Sequence, residues 1–178
     1  MIRELYDVFE HQRELMDALA PKEEANGYTP PTPPLDLQDR GHQQHFRMMA
    51  WFLTEEVVEA IIAKEDEYPE ELSDVLHFMV ELCILADVSP EAVLATHTTL
   101  DNHPDLLDVL IQVGKATNML KAKPWKSNPQ PTDEAEFQRT LRYGLAYLLR
   151  FLKIYDLDFH RVYFLKNGIN KQRLQNGY

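Results

Sequence analysis

Apolar residues recur at helical spacing along almost the whole chain. Over residues 2–20 they fall at Leu5, Val8, Phe9, Leu15, Met16 and Leu19, which predicts an amphipathic helix. Residues 21–36 break the pattern with Pro21, Gly27, Pro30, Pro31, Pro33 and Pro34, a composition that predicts an extended connector and excludes helix interior. A long helix is expected over about 36–65 and another over about 68–87, with Pro69 just inside its start. Ser89-Pro90-Glu91 has the order of an N-cap, a first-turn proline and a first-turn acid. Asn102-His103-Pro104-Asp105 opens a further helix to about Leu120. Residues 122–132, with Pro124, Pro129 and Pro131, read as a loop. Two more helices are expected, from about Asp133 to Tyr155 and from about Asp158 to near Leu174. There is no alternating strand pattern, internal repeat or glycine-rich phosphate loop, so the expected fold is one all-α domain over 1–178, of helix-bundle type.

Composition agrees with this picture. Of 178 residues, 44% are hydrophobic and 26% charged, and glycine occurs 6 times, a mixture suited to a folded helical chain. The formal net charge is -11. Duplex nucleic acid, which needs a basic face, is therefore an unsuitable partner, whereas a nucleotide can still bind where divalent metal supplies the positive charge. A single cysteine, Cys83, excludes an internal disulfide and sits in an apolar run as a core residue. No apolar stretch approaches the ~18 residues that span a bilayer. The start of the chain has no basic region followed by an apolar run, so no membrane association and a cytoplasmic location are expected.

The candidate chemistry lies in two acidic pairs, Glu56-x-x-Glu59 and Glu71-x-x-Asp74. With 29 acids in 178 residues, such spacing arises readily by chance, so the neighbours decide. A helix turns roughly 100° per residue. On that wheel Glu55, Glu56 and Glu59 share an arc with or beside Met48, Trp51, Phe52 and Ile62. Met49, Leu53, Val57, Val58, Ala60 and Ile61 cover much of the remainder. A helix apolar nearly all round is expected to be buried. In the next helix Glu71 and Asp74 flank the direction of Phe78, beside Val75, Leu82 and Leu85. The short link of about Lys64 to Tyr68 makes the two helices antiparallel neighbours, so the pairs can converge. Carboxylates in apolar surroundings must be protonated, paired or bound to metal. Four carboxylates without His or Cys form a hard oxygen site suited to Mg²⁺ or Mn²⁺ and, through it, to phosphate-ester or anhydride hydrolysis.

These motifs, in "FLTEEVVEAI" and "EELSDVLHFMVEL", resemble the metal-binding helices of all-α nucleoside triphosphate pyrophosphohydrolases, a group that includes MazG-type enzymes and dimeric dUTP diphosphatases. The tail "YFLKNGINKQRLQNGY" over residues 163–178, with Lys166-Asn167, Asn170, Arg173 and Gly177-Tyr178, and the N-terminal "EHQRELMDAL" resemble the dimeric dUTP diphosphatase branch. The resemblance implies that Glu56, Glu59, Glu71 and Asp74 ligate Mg²⁺. It makes Glu56 and Glu59 the catalytic pair, one of which, Glu56 for example, orients the attacking water. It implies that Gln12 helps to read the base and that Lys166, Asn170 and Arg173 contact phosphate or sugar. It implies a homodimer, an expectation that the high apolar content shares, and a nucleoside triphosphate, dUTP or a related deoxynucleotide, converted to monophosphate and pyrophosphate. A MazG-type activity on other nucleotides and a non-catalytic helical interaction protein are the alternatives.

Other polar and aromatic residues have plainer expectations. His42 and His45 are expected on a solvated face, His77 at the core or its boundary, and Trp51 in the core. Asp105 and Asp108 read as solvated helix-face acids. Lys121-Ala122-Lys123-Pro124-Trp125-Lys126 is the densest basic patch, and its tryptophan calls for a contact.

Overall fold

Among the described residues, seven helices carry the periodic segments: α1 (Ile2–Ala25), α2 (Arg40–Ile62), α3 (Tyr68–Leu85), α4 (Pro90–Thr99), α5 (Leu106–Met119), α6 (Glu134–Ile154) and α7 (Phe159–Asn176). The computed structural model describes all residues except 124, 128, 129, 177 and 178 and, within α7, the side chains of 171 and 174–176. Among the described residues there is no strand. No described helix is long and apolar enough to cross a membrane.

The ends of these helices follow from local chemistry. Asp39, Ser89, Asp105 and Asp133 each accept a hydrogen bond from a backbone N–H of the first turn that follows. Asp105 and Asp108 form a reciprocal capping box, with both bonds at 3.0 Å, so these two acids fix a helix start while Asp105 stays exposed and Asp108 partly exposed to solvent. Three helices close on a residue with positive φ: Gly27 after α1, Asp87 after α3 and Asp156 after α6. In each case the next residue's N–H returns to a carbonyl five positions back, at 2.9 Å.

Two boundaries differ from the sequence expectation. α1 runs through Pro21 to Ala25. Pro21 lacks the N–H that would bond the Asp17 carbonyl and its ring crowds that carbonyl, but it falls one turn from the helix end, where few residues remain to be disturbed. α2 starts at Arg40 and not near 36, because Asp36 and Asp39 form a turn that caps it. The proline-rich connector is nevertheless anchored. Leu35 and Leu37 are buried, and the Leu35 N–H donates to the Leu85 carbonyl at 2.8 Å. The buried Gln43 amide holds the Leu37 carbonyl at 2.7 Å and accepts from the Ala122 N–H at 2.9 Å, which joins two connectors far apart in sequence.

α3 is the central element, packed against α1, α2, α6 and α7. Leu72, Val75, Leu76, Met79, Val80, Leu82, Cys83 and Leu85 on it are fully buried, which accounts for its almost continuous apolar sequence. α2 behaves differently. Among the described residues of the other helices it packs only on α3 and α5. Its remaining side leaves Trp51 and Ile61 each 62% exposed, Ile62 74% and Val58 49%. The expectation of a helix buried all round, with Trp51 in the core, is therefore overturned: the helix has neighbours on two sides, and nothing within the described chain covers the third. His45 also departs from its expected solvated face. It is buried, and the Tyr28 hydroxyl from the folded-back connector meets its Nδ1.

Candidate active site between the acidic helices and the C-terminal helix

The antiparallel α2–α3 pair brings both acidic motifs to one end of the bundle. Glu56, Glu59 and Glu71 each offer a carboxylate oxygen, and the three lie within 4.8 Å of one another. Glu59 is exposed, whereas Glu56 and Glu71 are half-buried. The cluster is thus more open than the wheel implied, because α2 leaves one side uncovered. Asp74 does not join the trio; the ammonium of Lys166 on α7 seats on its Oδ2 and lies 3.6 Å from Glu70 Oε1.

The charges leave a clear electrostatic imprint. Burial, then the neighbouring Asp74 and Glu59 carboxylates, push the Glu56 carboxyl up to about 7 against the opposing pull of Lys166. Glu71 is likewise raised, chiefly by burial. Asp74 is raised by burial even though the Lys166 hydrogen bond and charge work in the other direction. Lys166 resists desolvation and is held above the usual ammonium range by Asp74, Glu71 and Glu70. Acids so close together favour a bound proton or a cation. Three converging oxygen donors, with no His or Cys among them, suit a small hard divalent ion.

Beside this cluster lies a cavity of about 260 Å³ lined by residues of α1, α2, α3 and α7. Gln12, Glu56, Asp74, Lys166, Asn170 and Arg173 all face it. Six residues selected from the sequence are therefore brought to one cavity, with Glu59 and Glu71 at the adjoining cluster. Asn167, quoted with Lys166 in the tail, is buried, and Gly177-Tyr178 lies outside the described residues. A larger open groove of about 490 Å³ between α2 and α5, lined by Arg47, Trp51 and Lys123 among others, contains none of the acids.

α7 is docked onto α3 through Tyr163, which is fully buried. Its carbonyl accepts from His77 Nε2 at 2.9 Å and from Ser73 Oγ at 3.3 Å, and the His77 and Tyr163 rings stack at 4.2 Å. His77 is thus a satisfied core residue, as expected. Nε2 carries the proton that it donates to the carbonyl, and burial pushes the ring down to about 4 against the pull of that bond. Trp51 lies outside the cavity and donates from Nε1 to Glu55 at 2.9 Å. Trp125 is 78% exposed, so the contact expected for it is not made within the described chain.

Glu81, Leu15 and Leu19 also line the cavity and were not picked out from the sequence as site residues; Phe78, placed there between the two acids of its helix, lines it as well. Phe78 and Glu81 follow Asp74 by four and seven positions. That spacing carries one helix face onward from the acidic motif and was the available signal.

An all-helical bundle with paired acidic helices beside a cavity lined by cationic side chains defines a nucleotide-hydrolase class of site. The chain matches the dUTPase family over residues 60–178, about two thirds of its length, and belongs to that family; it is a dUTP diphosphatase-like nucleotide hydrolase. The match includes Glu71, Asp74, Lys166, Asn170 and Arg173, and starts just after Glu59, so Glu56, Glu59 and Gln12 lie before it. No curated protein and no solved structure matches the chain.

Proposed function

We propose that the protein is a Mg²⁺-dependent pyrophosphohydrolase that converts dUTP to the monophosphate and pyrophosphate. The observation that carries this reading is the convergence on one cavity of a buried amide, Gln12, two cations, Lys166 and Arg173, and the acidic helices. Glu56, Glu59 and Glu71 would hold the Mg²⁺ ion, together with Asp74, whose present partner Lys166 would contact phosphate. The bound ion supplies charge neutralisation for the triphosphate. Glu56 orients the attacking water and takes its proton. The Arg173 fork matches phosphate geometry, and Lys166 adds a mobile point charge. Asn170 contacts phosphate or sugar, and Gln12 reads the base.

The test is pyrophosphate release from dUTP, dCTP, dTTP and dATP with Mg²⁺, in wild type and Glu59→Gln. The reading expects preferred turnover of dUTP, reduced at least about 10²-fold in the variant. Unchanged turnover in Glu59→Gln would overturn the site assignment, and equal rates on all four nucleotides would overturn the substrate.

A further inference from the structure

The amide of Gln12 is held at both ends. Its Nε2 donates to Glu81 Oε2 at 3.2 Å, and the Tyr163 hydroxyl donates to its Oε1 at 3.0 Å. The three side chains come from α1, α3 and α7. Gln12 is 2% exposed and Tyr163 fully buried, while Tyr163 is itself pinned through its carbonyl by His77 and Ser73. Glu81 lines the cavity beside Gln12, and the hydrolytic chemistry has no use for it. Burial, and then Glu23, raise its carboxyl to about 7, while the Gln12 hydrogen bond opposes them. An acid kept in such surroundings is costly unless its acceptor oxygen is used.

An amide is two-faced: the oxygen only accepts and the nitrogen only donates. Each clamp occupies one of the nitrogen's two hydrogens or one of the oxygen's two lone pairs, leaving one of each for a ligand. Uracil and thymine present an N3–H donor beside a carbonyl acceptor, whereas cytosine presents an N3 acceptor beside an amine donor. A glutamine free to turn over serves both patterns. One whose ends are assigned by neighbours serves a single pattern for a base bound in a given place, because turning over would break both clamps.

We propose that Glu81 and Tyr163 are positioning residues that fix the sense of the Gln12 amide, so that the cavity accepts an N3–H pyrimidine and rejects cytosine. This rests on the nucleotide reading above and adds the residues that set its base preference. Exclusion of thymine is a separate matter of space around the 5-methyl group.

The experiment measures kcat and KM for dUTP and dCTP in wild type, Glu81→Leu, Glu81→Gln and Tyr163→Phe, with circular dichroism on each. In Glu81→Leu and Tyr163→Phe, the dUTP KM rises about tenfold or more while kcat stays within about threefold, and the dUTP-to-dCTP ratio of kcat/KM falls about tenfold. Glu81→Gln recovers most of the preference, because its amide oxygen accepts the same hydrogen. If Glu81→Leu does not fold, Tyr163→Phe, which deletes one oxygen atom, decides alone. An unchanged preference in folded Tyr163→Phe overturns the clamp, as does a loss in Glu81→Gln equal to that in Glu81→Leu. Failure of the nucleotide reading shows in the wild-type arm, as no turnover of dUTP, and overturns both ideas. Failure of the clamp alone shows only in the variants.

Discussion

Lys166 of α7 seats its ammonium on the carboxylate of Asp74 of α3, across 92 positions of sequence. The contact joins the docking of the C-terminal helix to the charge of the acidic site. It also sets a competition, because a carboxylate engaged by an ammonium is less available to a divalent cation.

Replacing Lys166 by Met should separate the two effects. Removing the competing cation from Asp74 strengthens Mg²⁺ binding to the nucleotide-free protein by several-fold (up to about tenfold), as read by calorimetry. Loss of a charge-assisted phosphate contact lowers kcat/KM for dUTP by about 10²-fold. Weaker Mg²⁺ binding in Lys166→Met would show that the lysine organises the ion's ligands and does not compete with the ion.

With Glu56 as a ligand of the proposed Mg²⁺ site, metal binding is expected to depend on pH. Its carboxyl is raised from 4.5 to about 7 in the folded protein. The folded state therefore holds a proton that the unfolded chain releases earlier. This contributes stability to the metal-free protein that is fully present below about pH 4.5 and is lost as pH rises through about 7. Mg²⁺ must displace that proton, so its affinity, and the rise in Tm it produces, grow from about pH 5.5 to about pH 8 and then level off. Glu59→Gln removes one of the charges that raise Glu56. Calorimetry across this range should find the midpoint of the remaining Mg²⁺ dependence at lower pH in that variant, and an unmoved midpoint would count against Glu56 as the titrating ligand.

The uncovered side of α2 bears on assembly. Trp51, Val58, Ile61 and Ile62 form an exposed apolar stripe at helical spacing, and Leu107 and Ile111 on the neighbouring α5 are 58% and 44% exposed. A patch of this kind suits an interface between copies of one chain. With this face as the interface of the homodimer that the family resemblance implies, Ile61→Glu weakens self-association by about 10²-fold or more by sedimentation while leaving the helical content intact. Wild-type protein that sediments as a monomer at micromolar concentration would rule the dimer out.

The helices themselves were legible because their causes are local. Apolar positions at i, i+3 and i+4 mark the faces, and Asp39, Ser89, Asp105 and Asp133 mark the starts with side chains that reach only their own first turn. The acidic pairs were legible too, since i, i+3 spacing on a helix fixes a shared face without outside help. Where the local signal misled, a longer-range circumstance was responsible. Pro21 falls near the end of α1, where a lost bond matters little. His45 is buried by a tyrosine that only the folding of the connector delivers.

By itself, then, the sequence determined an all-α chain, its helix order, two acidic helix faces and the cationic tail residues Lys166 and Arg173. Tertiary structure decided which of these meet. It separated Asp74 from the Glu56–Glu59–Glu71 trio by giving it Lys166 as a partner. It left α2 half uncovered, so that Glu59 and Trp51 are exposed. It also placed Glu81 and Tyr163 on either end of the Gln12 amide. The physical reason is one of range: periodicity and capping act within a few residues, whereas burial, ion pairing and the sense of a buried amide depend on neighbours that lie up to 151 positions apart in sequence.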